Sequence, residues 1–202
     1  MKGICFKPEM FHATIEGRKT QTRRILNPQP DGFRGFVGND MFVPQTVIGM
    51  SVKEIKPRYK VGETLYLKEP YMFAPNVEFG IDTNGNGIRY KYSESAQYIE
   101  EWETEFENKL FMPAKYARYF IEITDVRWER LQDISEEDCL KEGISEKLSK
   151  VLGWLQYGIS GKERYGTPQE AYAALIDKIN GKGIWQSNPC VWIYDYKLTN
   201  RR

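Results

Sequence analysis

The chain has 202 residues, 41% of them hydrophobic, which suffices for one ordinary domain with a sizeable core. A net charge of +1 excludes a uniformly basic nucleic-acid binder, so attraction for an anion must come from a local patch. One histidine, His12, and three distant cysteines, Cys5, Cys139 and Cys190, leave no disulfide framework, zinc cluster or multi-histidine metal site.

The cysteine pattern fits a reducing cytoplasm, and neither a metal nor another cofactor is expected. Met1 to Pro8 has no signal-peptide pattern, and no apolar run approaches the ~20 residues of a membrane span. A soluble cytoplasmic protein with no membrane partner is the expectation. Charge is segregated: the first sixty residues hold eleven Lys and Arg against five Asp and Glu, whereas Ser93 to Glu107 holds six glutamates and no base. The basic third suits an anionic partner, and the glutamate run reads as a solvated face.

In chain order, Lys2 to Phe6 reads as a strand, and Pro8 opens a helix through Phe11 and Ile15 that stops at Gly17. Lys19 to Ile25 reads as extended, with Arg18, Thr20 and Thr22 on one side and Lys19, Gln21 and Arg23 on the other. Asn27 to Pro57, with Pro28, Pro30, Pro44 and Pro57, reads as an extended connection with one strand near Val47 to Val52. Tyr59 to Glu63 turns into the strand Thr64 to Lys68. Asp82 to Gly87, between Phe79-Gly80-Ile81 and Ile88-Arg89-Tyr90, signals a hairpin, and the acidic stretch Ser93 to Asn108 follows as helix or mobile chain.

Pro113 opens a short helical turn, and Tyr119 to Leu131 reads as a long strand with Tyr119, Ile121 and Ile123 on one face. Ser135 caps a helix that carries Glu136, Glu137 and Asp138 in its first turn and ends at Gly143. Thr167-Pro168-Gln169-Glu170 forms a capping box for a helix with Tyr172, Leu175, Ile176 and Ile179 on one face, stopped by Gly181. Cys190 to Leu198 is the closing strand. Strands separated by turns, with few helices, predict an α+β domain on a curved or barrel-like sheet rather than a βαβ repeat. No repeat or linker divides it, so one domain over residues 1–202 is expected.

Chemistry concentrates in Arg18, Lys19, Thr20, Gln21, Thr22, Arg23 and Arg24. Arginine forks, a lysine point charge and threonine hydroxyls suit an anion or the edge of a polar heterocycle. The same composition also suits a solvated basic edge strand. Lys19 and Thr22 form a possible base and nucleophile, which still need a carboxylate from around Ser135 to Glu142.

The run Glu16-Gly17-Arg18-Lys19-Thr20-Gln21-Thr22-Arg23-Arg24 resembles the signature of the ASCH domain, a branch of the PUA-like superfamily, with Gly17, Lys19 and Arg24 at its fixed positions. Further patches are similar to the longer phage and prophage ASCH proteins and keep their order. They are Tyr59 to Glu63 through Lys68-Glu69, Met112-Pro113, Ile123 to Arg127 through Leu131 to Ile134, and Asn188-Pro189 with Val191-Trp192. The resemblance implies a PUA-like curved β-barrel with flanking helices, and insertions at about 27–57, 71–110 and 145–184. It implies an RNA or nucleoside ligand in a cleft lined by Arg18, Lys19, Thr20, Thr22, Arg23, Arg24 and Glu69. One compact branch is an amidohydrolase acting on N4-acetylcytidine. Its resemblance implies Thr22 as nucleophile, Lys19 as activator and Glu142 as proton shuttle, with Glu136, Glu137 and Asp138 as neighbouring acids. A non-catalytic phage accessory protein is the third expectation. A metal-dependent nuclease ranks last, since no dense carboxylate cluster is written in the chain.

Overall fold

Helix signals in the sequence set the element boundaries. Pro8 opens the first helix, Ser135 Oγ accepts the Asp138 amide at 3.1 Å, and Thr167 Oγ1 accepts the Glu170 amide at 3.2 Å. Glu170 Oε2 accepts the Thr167 amide in return at 3.3 Å, completing the capping box. The structure, a computed structural model, describes residues 1–30, 36–37, 41–42, 45–48, 51–74, 87–93, 106–149, 153–159 and 163–199.

The chain runs through β1 (Lys2–Cys5), α1 (Pro8–Ile15), β2 (Gln21–Ile25), β3 (Phe36–Val37), β4 (Met41–Phe42), β5 (Gln45–Ile48) and β6 (Ser51–Glu54). It continues through β7 (Thr64–Lys68), β8 (Tyr71–Ala74), β9 (Gly87–Tyr90), β10 (Phe120–Arg130) and α2 (Glu136–Lys141). Then come β11 (Ser145–Leu148), β12 (Leu155–Gly158), α3 (Pro168–Asn180), α4 (Ile184–Ser187) and β13 (Cys190–Thr199). The fold is mixed α+β, mostly sheet with few helices among the described residues.

The chain divides into two compact units. The first comprises Met1–Gly17, Thr64–Glu122 and Lys197–Arg202. In it β1 runs parallel to β7, with Lys2 opposite Leu65, and β7 pairs antiparallel with the start of β10, with Phe120 opposite Tyr66. Ile4, Phe11, Leu65, Leu67 and Ile121 are buried there. A second cluster of Tyr71, Ile88, Tyr90 and Met112 lies under the β8–β9 pair, with Tyr116 and Ala117 against it.

The other unit comprises Arg18–Glu63 and Ile123–Tyr196. Here β13 lies between the later part of β10 and β2, and it pairs antiparallel with β2 from Val191–Ile25 to Asp195–Gln21. Leu131, Cys139, Tyr172, Cys190, Ile193 and Tyr194 form its interior. α3 packs on α2, on α4 and on β12.

Two local expectations change. The single strand near Val47 to Val52 is instead the antiparallel pair β5–β6, with Val47 opposite Val52. Ile88 to Tyr90 pairs with Tyr71 to Phe73; the hairpin expected across 79–87 lies outside the described residues but for Gly87, which stands in β9 opposite Ala74. Ile179, placed by its spacing on the buried face of α3, is 37% exposed, because it stands in the last turn beyond the packed stretch from Ala171 to Ile176. The acidic residues 94–105 also lie outside the described residues.

Candidate functional site

Strand alternation and one helix end build a charged cluster inside the second unit. Gln21 and Arg23 are two apart on β2, so their side chains leave the same face, and both reach Asp138 on α2. The Thr20 amide donates to Lys141 O at 2.9 Å, and the Tyr196 amide donates to Thr20 O at 2.8 Å, pinning the entry to β2 between α2 and β13. Glu142 follows the last residue of α2, and Gly143, at φ 98°, turns the chain away in a conformation that a Cβ disfavours. Glu142 therefore presents both its carboxylate and a helix-terminal carbonyl to Lys19.

Lys19 Nζ donates to Gln21 O at 2.7 Å, to Glu142 O at 2.9 Å and to Glu142 Oε2 at 2.5 Å. Three acceptors use all three ammonium hydrogens, and the cation sits at the negative end of the α2 dipole. Lys19 is 3% exposed, and burial pulls it below its ordinary value against the opposing pull of Glu142. A neutral Lys19 would turn its lone pair towards one of these acceptors. Acting as a base therefore requires it first to release one contact.

Arg23 Nη2 donates to Asp138 Oδ2 at 2.8 Å and Nη1 faces Glu142 Oε1 at 3.5 Å, with a further bond from Nη1 to Gln21 Oε1. Burial acts against the Arg23 charge, but Glu142, Tyr172 and Asp138 outweigh it and hold the guanidinium above its ordinary value. Gln21 Nε2 donates to Asp195 Oδ1 at 2.7 Å and to Asp138 Oδ1 at 3.2 Å. Arg127 extends the network to Asp138 at 3.2 Å, to Glu129 at 3.1 Å, to Asp125 at 3.0 Å and to Asp195. Burial favours the protonated Asp138, yet its bond to Arg23 wins and keeps it below the ordinary carboxylate value.

Tyr172 on α3 adds an uncharged donor. Its ring centroid lies 6.0 Å from Arg23 Cζ, and the whole side chain is buried. Burial first, then Glu142, raises the phenol well above its ordinary value, so it keeps its proton.

The expected site residues separate into three groups. Lys19 and Glu142 meet, although 123 positions apart in the chain. Thr22 is buried at 4% exposure opposite Tyr194, and alternation sends its side chain to the other face of β2 from Gln21 and Arg23. Among the described residues no side-chain hydrogen bond joins Thr22 to Lys19 or Glu142. Arg18 and Arg24 are exposed, and Thr20 is half-buried.

Glu69 belongs to the first unit, where it is fully buried and held by Arg118 Nε at 3.0 Å and Nη2 at 2.7 Å. Burial raises its carboxyl group against the pull of Arg118, whose Cζ lies 3.9 Å from the Tyr90 ring centroid. His12 lies in the same unit, edge-on to Phe11 at 6.0 Å and tilted against Tyr92 at 6.2 Å.

Sequence reasoning missed the roles of Arg127, Asp195 and Tyr172. Asp195 becomes visible only through the β2–β13 register, which sets it opposite Gln21. Tyr172 carries the spacing of an ordinary core residue, and nothing in that spacing marks its hydroxyl. Asp138 was among the acids singled out near Glu142. No metal-holding group of three or more His, Cys, Asp or Glu occurs among the described residues, and no helix there is long and apolar enough to cross a membrane.

Comparison of the chain with protein-family models, with curated proteins and with solved structures gives no match.

Proposed function

We propose that the Lys19–Glu142 cluster is the recognition site of a PUA-like, ASCH-type domain with a curved barrel, and that it binds a modified pyrimidine nucleoside, free or within RNA. The observation that carries this reading is the buried pair itself, at 2.5 Å with Lys19 3% exposed. Desolvating two charges costs about as much as their attraction returns, so a buried pair is weak evidence for stability and better evidence for a site. Lys19 and Arg23 are matched by Glu142 and Asp138, which suits the mixed donor and acceptor edge of a base better than a bare phosphate. The exposed Arg18 and Arg24 give the same segment cations at the surface for a polynucleotide backbone.

The test is titration against a panel of nucleosides, including N4-acetylcytidine and cytidine, and of short RNAs. Lys19→Ala and Arg24→Ala should weaken binding with the fold retained. Removing Lys19 alone leaves Glu142 with only the longer Arg23 contact at 3.5 Å and so lowers stability as well. The paired Lys19→Met/Glu142→Gln variant removes both charges and serves as the folded control. Unchanged affinities across the panel would refute the reading.

The Lys19–Glu142 contact also favours a second reading, an amidohydrolase acting on N4-acetylcytidine. Thr22 Oγ1 would attack the acetyl carbonyl, with Lys19 taking its proton and Glu142 relaying that proton to the departing amine. Cytidine leaves, and water then releases acetate from the acetyl-threonine. Incubation at high enzyme concentration should yield equal amounts of cytidine and acetate, both absent with Thr22→Val. No cytidine release from the wild type would remove this reading while leaving the binding reading intact.

A further inference from the structure

Tyr172 lies outside every motif that drew attention to the site, within the segment 145–184 that resembles an insertion. Yet α3 brings its ring centroid to 6.0 Å from Arg23 Cζ, at the side of the charged cluster. Neighbouring elements fix its position. Trp185 packs edge-on to its ring at 6.2 Å, and Asp177 Oδ1 accepts the Trp185 amide at 2.8 Å, tying α4 back to α3. Gln132 Nε2 donates to Trp185 O at 2.8 Å, which anchors α4 further.

Two donors of this cluster, Tyr172 Oη and Arg23 Nε, are buried and have no partner among the described residues. Folded chains pair nearly all such groups, because a desolvated donor left unpaired is costly. Two of them on neighbouring side chains, at a charged cluster, point to an acceptor that belongs to what the cluster binds. Charge decides the kind of acceptor. Glu142 and Asp138 already match Lys19 and Arg23, so a carboxylate or phosphate would add a further, unmatched negative charge beside them. An uncharged carbonyl oxygen adds none.

We infer that Tyr172 is a specificity-determining residue whose hydroxyl, together with Arg23 Nε, donates hydrogen bonds to an uncharged carbonyl oxygen of the ligand. This rests on the reading of the cluster as a nucleoside site and extends it to the element that supplies the discriminating donor. A site built around such donors discriminates against ligands that leave them unpaired.

The experiment compares wild type and Tyr172→Phe by calorimetric titration with N4-acetylcytidine, with sodium acetate and sodium phosphate as anion probes, alongside thermal denaturation of each ligand-free protein. Tyr172→Phe should bind N4-acetylcytidine about tenfold more weakly, the range of one hydrogen bond. Its ligand-free melting temperature should equal or exceed that of the wild type, because an unpaired hydroxyl stabilises nothing. Equal affinity in the two proteins overturns the inference and leaves the nucleoside reading standing. A lower melting temperature, or failure to fold, overturns it by giving the hydroxyl a structural partner. Acetate or phosphate binding that depends on Tyr172 overturns the carbonyl assignment. Absence of N4-acetylcytidine binding by the wild type removes both the nucleoside reading and this inference.

Discussion

Asp138 ties the charged cluster together at the scale of single residues, accepting from Arg23, Gln21 and Arg127. Its carboxyl group lies below its ordinary value of 3.8 in the folded chain, so the unfolded chain takes up its proton first as pH falls. The stability that Asp138 contributes is therefore fully present above 3.8 and is lost as pH drops through that value towards the folded one. Denaturation followed from pH 7 to about pH 2 should show Asp138→Asn less stable at neutral pH and less sensitive to acid than wild type. Parallel curves would show that Asp138 is not a linked group. Residue type and spacing made Lys19 legible but left its acid open among the residues from Ser135 to Glu142, and only the ASCH resemblance singled out Glu142. The three acceptors around Lys19 Nζ were not legible, since two of them are main-chain carbonyls whose direction depends on the fold.

Elements with strong local chemistry were readable, and elements defined by distant pairing were not. α1 begins at Pro8, which suits a first helical turn, and α2 and α3 begin directly after the caps Ser135 and Thr167, because these signals act on amides a few positions away. The two sides proposed for the segment 19–23 are borne out where Gln21 and Arg23 share Asp138. By contrast, β8 and β9 pair across a segment of the chain that lies outside the described residues, and no short motif at Tyr71 announces its partner. The β5–β6 pair was read as one strand because Val47 and Val52 flank no strong turn dipeptide. The Thr167 box can be tested directly. Thr167→Ala removes the acceptor for the Glu170 amide and should cost about 1 kcal/mol in chemical denaturation. An unchanged midpoint would mean that packing of α3, rather than its cap, fixes the helix that carries Tyr172.

At the scale of the whole molecule, each compact unit is assembled from separated stretches of sequence, with boundaries inside β10 and β13. Two of the four boundaries, 122/123 and 196/197, fall inside strands, where a search for linkers finds nothing. The overall α+β character was legible from alternating strands and few capped helices. Barrel closure and the ligand remain part of the proposal that the ASCH resemblance motivates. A net charge of +1 and buried cations matched by acids support the proposed reading of a base edge over a run of phosphates. Calorimetric titration of N4-acetylcytidine into the wild type and the Lys19→Met/Glu142→Gln variant, at low and high salt, tests this most directly. The account predicts saturable binding by the wild type that changes little with salt and is lost in the variant. No binding by the wild type, or binding that persists unchanged in the variant, would contradict it.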